Sequence, residues 1–197
     1  VIARRAREIA EGSGVHPNDH VNMAQSSNDV IPSASQLTAA HAIQIQLLPA
    51  IEQARATLQT KATEFWGIIK TGRTHLQDAT PIRLGQEFQG YASQMELAKK
   101  RLEPQVAALS EVALGGTAVG TGINAHEEFA ARVCTILASE LGLPVRETEH
   151  HFQAQNTQDA MLAASGAVRA AAVSFQKIAN DLRWLASGPT SGLSEIF

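Results

Sequence analysis

The chain lacks the features of a disulfide-stapled, membrane-spanning or polyanion-binding protein. Its 197 residues include one cysteine, Cys134, so no intrachain disulfide can form. Aromatic residues make up only 5% of the chain. No basic stripe is interleaved with them, which argues against a nucleic-acid surface. No uninterrupted apolar run reaches the ~20 residues that a bilayer span needs. Neither sign of charge dominates, with 16 Lys and Arg against 19 Asp and Glu for a net charge of −3. What is present is the make-up of an ordinary folded protein, 44% hydrophobic and 18% charged, able to bury a substantial core. Cys134 lies in the apolar run Ala130 to Leu137 and reads as a buried thiol. It fits a reducing compartment, and a cytoplasmic protein with no membrane or nucleic-acid partner is expected.

Strand-like alternation is nearly absent, and helical spacing dominates. Between about Gln153 and Ala186, Met161, Val168, Phe175 and Leu182 recur every seven residues. Ala164, Ala171, Ile178 and Leu185 form a second such series. Together they predict one helix seam, roughly 50 Å long at 1.5 Å per residue. Leu84, Phe88, Tyr91, Met95, Ala98 and Leu102 step by four and three until Pro104, which is expected to disturb that helix. A third helical region runs from about Ser33 to Phe65, with Pro49 as a kink or a first-turn restart. A shorter helix is expected from Ala125 to Leu141, ended by Gly142 and Pro144. The expected class is all-α, a bundle of long helices. The loop Leu114 to Asn124 is rich in glycine but lacks phosphate-loop spacing and follows a helix, so it reads as a turn.

Two polar segments interrupt this pattern. His16-Pro17-Asn18-Asp19-His20 is followed by Gln25-Ser26-Ser27-Asn28-Asp29, and Gly72 to Asp78 contains Arg73, Thr74 and His75. Ser26 to Asp29 precede a helix and fit capping. Their hydroxyls and amide, beside free N–H donors, also fit a cradle for a carboxylate. His16, Asp19 and His20 suggest metal ligands, but Pro17 breaks a regular His–His face, and an Asn–Asp turn is the plainer alternative. Adjacent His150 and His151 diverge on a helix. His75 is placed in a loop before a long helix. Its neighbours Arg73, Thr74, Gln77 and Asp78 suit acid–base work, and imidazole ordinarily titrates near ~6.5.

These residues carry a family resemblance. The chain is similar to class II fumarases, in the superfamily that includes aspartase, argininosuccinate lyase and adenylosuccinate lyase. The resemblance covers essentially all residues. It rests on Val15 to Asp19, Gln25 to Asp29, Gly72 to Pro81, Gly115 to Asn124 and Lys177 to Arg183. Aspartases carry glutamine in place of His75 and Ser-Thr-Asn in place of Ser26-Ser27-Asn28, which favours fumarase. The resemblance implies a hydro-lyase of the tricarboxylic acid cycle that reversibly hydrates fumarate to L-malate, with no metal and no other cofactor. It implies a catalytic role for His75 and substrate binding by Ser26, Ser27, Asn28 and Thr74. His16, Asn18 and Asp19 match a second dicarboxylate site, although Ser13 stands where relatives often have a basic residue.

The resemblance further implies that residues 1–197 are the central helical domain of a homotetramer whose active sites combine subunits. The chain opens directly into a helical pattern and closes on Gly188 to Phe197, so a piece of a longer protein is expected. A catalytic serine loop, a Gly-Lys-Val-Asn-Pro segment and the carboxylate partner of His75 are expected beyond Phe197. An N-terminal Ser-Gly-Thr segment is expected before Val1. The isolated piece should therefore lack normal turnover. An ammonia-eliminating, aspartase-like lyase and a non-catalytic helical assembly module are the alternatives.

Overall fold

Apolar residues at three- and four-residue spacing fold as helices wherever the sequence shows that seam. In the computed structural model, which describes Val1–Phe197, these are α1 (Ile2–Ile9), α2 (Ser27–Ala42), α3 (Leu48–Glu64), α4 (Leu84–Leu109), α5 (Phe129–Leu141), α6 (His151–Ala154) and α7 (Asp159–Leu185). The strands are short: β1 (Ile69–Thr74) pairs antiparallel with β2 (Gln77–Arg83), and β3 (Glu111–Val112) pairs parallel with β4 (Arg146–Glu147). No helix is long and apolar enough to cross a membrane.

The chain forms two compact units. The first comprises Val1–His41 and Val106–Met161. Its core includes Leu37, Ala40, Leu109, Val112, Ala113, Leu114, Ala130, Cys134 and Leu143. α5 starts at Phe129, later than Ala125, and ends as expected at Gly142, whose φ of 63° suits a left-handed helix terminus. Cys134 is buried, and burial pushes its thiol pKa up.

The second unit comprises Ala42–Gln105 and Leu162–Phe197. Every residue of the Leu84-to-Leu102 seam is buried. Phe65 meets Phe88 edge-on at 5.1 Å, and Phe88 meets Tyr91 at 5.6 Å. The Tyr91 hydroxyl donates to Asp181 at 3.0 Å. Pro49 stands in the first turn of α3, which follows a π-helical turn at Ile43–Leu47 without a break.

Four expectations change. α2 begins at Ser27, six residues before Ser33. α4 continues through Pro104 to Leu109, because Pro104 and Lys100 are both exposed and water can take the carbonyl that proline leaves unbonded. The Gln153-to-Ala186 helix is split: Gln155–Gln158 separate α6 from α7, and Thr157 Oγ1 donates to Asp159 instead of joining a helix. The 27 residues of α7 span about 40 Å. Of its two seven-residue series, Ala164, Ala171, Ile178 and Leu185 are buried, while Val168 and Phe175 stay exposed. Finally, the region expected to be a loop at His75 is a β-hairpin.

Candidate active site

The Ser26 segment is the N-terminus of α2. Ser26 is the cap: its Oγ accepts the Asn28 N–H at 3.2 Å, and Asp29 Oδ1 accepts the Ser26 N–H at 2.9 Å. Together the two bonds cap the first turn of α2. Asp29 does more than cap. Its other oxygen, Oδ2, accepts the N–H groups of Gly115 at 3.2 Å and Thr117 at 2.9 Å, and its side chain is 0% exposed. The amide of Asn28 donates to the Ala118 carbonyl at 2.8 Å. The glycine-rich turn is thus clamped to the first turn of α2. Gly115 has φ +100°, and a Cβ there would stand 2.5 Å from that of Ala130, so the turn requires glycine.

Ser27 and Asn28 remain exposed and Ser26 half-buried. They form a compact set of hydroxyl, amide and helix-terminal N–H groups, suited to a carboxylate without adding fixed charge. The capping and cradle readings are therefore compatible. Asp29, part of the same polar run, is structural.

Asn18 and Asp19 lie in one π-helical turn, Pro17–Val21, which His16 caps and Pro17 starts. His16 Nδ1 accepts the Asp19 N–H at 3.2 Å and lies 3.1 Å from Asp19 Oδ2, while His20 Nδ1 accepts the His16 N–H at 2.9 Å. An unprotonated Nδ1 satisfies the amide contact. Only a protonated ring would pair with the carboxylate, so the two contacts belong to different charge states. No group of three or more His, Cys, Asp and Glu residues could hold a metal ion.

Thr74 and His75 belong to the second unit. β1 and β2 are joined by the two residues His75 and Leu76, both in the left-handed region at φ 53° and 61°. That is the backbone of a tight type I′ hairpin turn, which normally favours Asn-Gly. Thr74 pairs with Gln77 just below the tip, and Thr74, His75 and Leu76 are all exposed. At the base, the Leu84 N–H donates to the Ile68 carbonyl at 2.9 Å and the Gly85 N–H to Phe65 at 3.1 Å. A Cβ on Gly85 would meet the Ala62 carbonyl at 2.4 Å, so glycine lets α4 leave the hairpin against α3.

Sequence reasoning missed two further clusters. In the second unit, Lys70 pairs with Glu87 at 2.8 Å and with Glu195, and Arg73 Nη1 lies 2.8 Å from Glu195. Burial acts to raise the Glu195 pKa, but hydrogen bonds from Lys70 and Arg73 outweigh it and hold the carboxyl below its ordinary range. In the first unit, an open cavity of about 270 Å³ is lined in part by His126, Glu127, Glu147 and His151. His151 Nε2 lies 3.3 Å from both Glu147 Oε1 and the Leu114 carbonyl. Glu195 lies 122 residues from Arg73 and Leu114 lies 37 from His151, so these contacts left no local pattern to read, although Glu147 and His151 stand four residues apart.

Comparison with known proteins places this architecture. A model of the lyase family matches residues 1–197, and the chain belongs to that family. It is 53% identical over 202 residues to the class II fumarate hydratase of Neisseria meningitidis, covering 100% of this chain and 44% of that protein. Against the class II fumarate hydratase of Bordetella parapertussis it is 49% identical, covering 100% of this chain and 43% of that protein. Its fold matches the recombinant class II fumarase of Schistosoma mansoni with a TM-score of 0.95 at 37% identity, over 98% of this chain and 44% of that one. The chain thus spans less than half the length of these relatives.

Proposed function

We propose that the protein carrying this chain is a fumarate hydratase of class II, and that these residues are its central helical domain. The observation that carries this reading is the near-50% identity to class II fumarate hydratases across the whole chain. Two local geometries agree with it: a neutral donor cradle at Ser26, Ser27 and Asn28, and a histidine held at an exposed hairpin tip.

In the malate direction, the C–H bond next to one carboxylate breaks and its proton passes to a base. The electron pair moves into that carboxylate as an aci-carboxylate, then forms the alkene as the hydroxyl leaves with a donated proton as water. Ser26, Ser27 and Asn28 bind carboxylate oxygens, with Thr74 as a further donor. Fixed donors stabilise the developing charge without reorganising at the moment of reaction. His75 gives its proton to the departing hydroxyl and, in reverse, activates the incoming water. His16, Asn18 and Asp19 form a second dicarboxylate site.

The assembly is a cytoplasmic homotetramer in which α7 contributes to a shared bundle. Supporting this, Leu162, Val168, Val173, Phe175 and Trp184 leave apolar surface exposed along α7. The functional test follows fumarate's ultraviolet absorbance with the complete protein and either L-malate or L-aspartate. Fumarate from malate alone is expected. Fumarate from aspartate alone would transfer the protein to the ammonia lyases, and none from either would contradict both assignments.

A further inference from the structure

Lys70 and Arg73 are three residues apart on β1, a spacing that sends side chains to opposite faces of a regular strand. Both nevertheless reach one carboxylate, that of Glu195. Between Lys70 and Arg73 the partner strand is bulged: Thr71 stands opposite Pro81, but Arg73 stands opposite Asp78, so Ala79 and Thr80 of β2 together face Gly72. Gly72 has no room for a side chain, since a Cβ would lie 2.6 Å from the Thr80 carbonyl oxygen. The residues immediately after Arg73 are Thr74 and His75.

Glu195 is itself fixed from behind. Its N–H donates at 2.8 Å to the carbonyl of Leu185, the last residue of α7. The Lys70 and Glu195 side chains are 7% and 15% exposed, so this pair escapes most of the screening that weakens surface ion pairs. Arg73 has no equivalent acid elsewhere: Asp78 is 3.9 Å away and largely exposed. The other anchors of the hairpin, at Ile68 and Phe65, lie at its base.

We propose that Glu195 is a positioning residue for His75, fastening the bulged hairpin to the end of α7 through Arg73 and Lys70 and so fixing where the tip presents its imidazole. This deepens the acid–base reading of His75 and rests on it. Substrate carboxylates are bound mainly by other residues, so losing the anchor acts on the chemical step and leaves binding nearly intact. Misplacing a reacting group by about 1 Å can cost ~100-fold in rate.

The test uses the complete protein with Glu195→Gln, alone and combined with His75→Asn. Alone, kcat for malate is expected to fall about 10- to 100-fold, with KM and the thermal unfolding midpoint little changed. In the His75→Asn background, Glu195→Gln is expected to cause no further loss. An unchanged kcat for the single variant, or an equal loss in both backgrounds, would overturn the proposal. His75→Asn with full turnover would instead sink the acid–base reading, and the proposal with it. Should Glu195→Gln not fold, Arg73→Lys carries the same comparison, because it keeps the charge but loses the guanidinium geometry that reaches Glu195.

Discussion

At Ser26 the polar groups are locked by backbone amides around a carboxylate with no exposed surface, whereas at His75 an exposed turn is held through ion pairs below it. Asp29 gathers the N–H groups of Ser26, Gly115 and Thr117. The hairpin has Lys70, Arg73 and Glu195 beneath it and two residues at positive φ on its tip. The first arrangement makes a rigid, neutral cradle. The second holds a titratable ring in a conformation that non-glycine residues avoid. The proposed roles, a binding surface and a proton-transfer group, place different demands on the backbone, and the two segments differ in that sense.

The largest expected effect comes from breaking the cradle. Asp29→Ala leaves the buried N–H groups of Gly115 and Thr117 and the half-buried one of Ser26 without their acceptor. At about 1–3 kcal/mol for each unsatisfied group, a loss of roughly 3–5 kcal/mol is expected after local relaxation. Urea unfolding measures it; an unchanged midpoint would mean that Asp29 does not clamp the turn. The hairpin should respond in the opposite direction to a change at its tip. Leu76 is exposed at φ 61°, and Leu76→Gly is expected to raise stability by about 1 kcal/mol by removing left-handed strain. A loss of stability would instead show that the leucine side chain, not the backbone, holds the turn.

The smallest effect separates ordinary surface pairing from both sites. Hydrogen bonds from Arg55 and then Lys99 lower Glu52 from 4.5 to about 2. A carboxyl depressed in the folded state stabilises above its unfolded pKa, and that contribution is lost as pH falls through the folded value. The stability difference between the wild-type protein and Glu52→Gln should therefore be constant above about pH 4.5 and shrink toward pH 2. Denaturant titrations at several acidic pH values check this; a difference that grows on acidification would reverse the assignment.

Helices were legible because burial repeats at their own period. The Leu84-to-Leu102 seam is buried throughout, and Gly142 ends α5 where expected. The hairpin was not legible, because its turn is His-Leu instead of Asn-Gly and its bulge breaks the two-residue alternation. Pro104 misled for a different reason, since solvent on the exposed face of α4 tolerates the lost backbone bond. The polar residues of the candidate site stood out by chemistry, and the structure places Ser26 at the cap of α2 and Asn28 in its first turn. Division of labour within the run was hidden: nothing local distinguishes Asp29, which turns inward, from Asn28 beside it. Glu195 could not be foreseen at all, because its partner Arg73 lies 122 residues away and both are ordinary charged residues in sequence.

The most direct test of this account is the turnover of malate by the complete protein carrying His75→Asn. His75 is exposed at the hairpin tip, so the variant should fold normally, and loss of a general acid–base group predicts a fall in kcat of about 10²- to 10⁴-fold. Wild-type turnover from the folded variant would contradict the assignment of His75 to proton transfer.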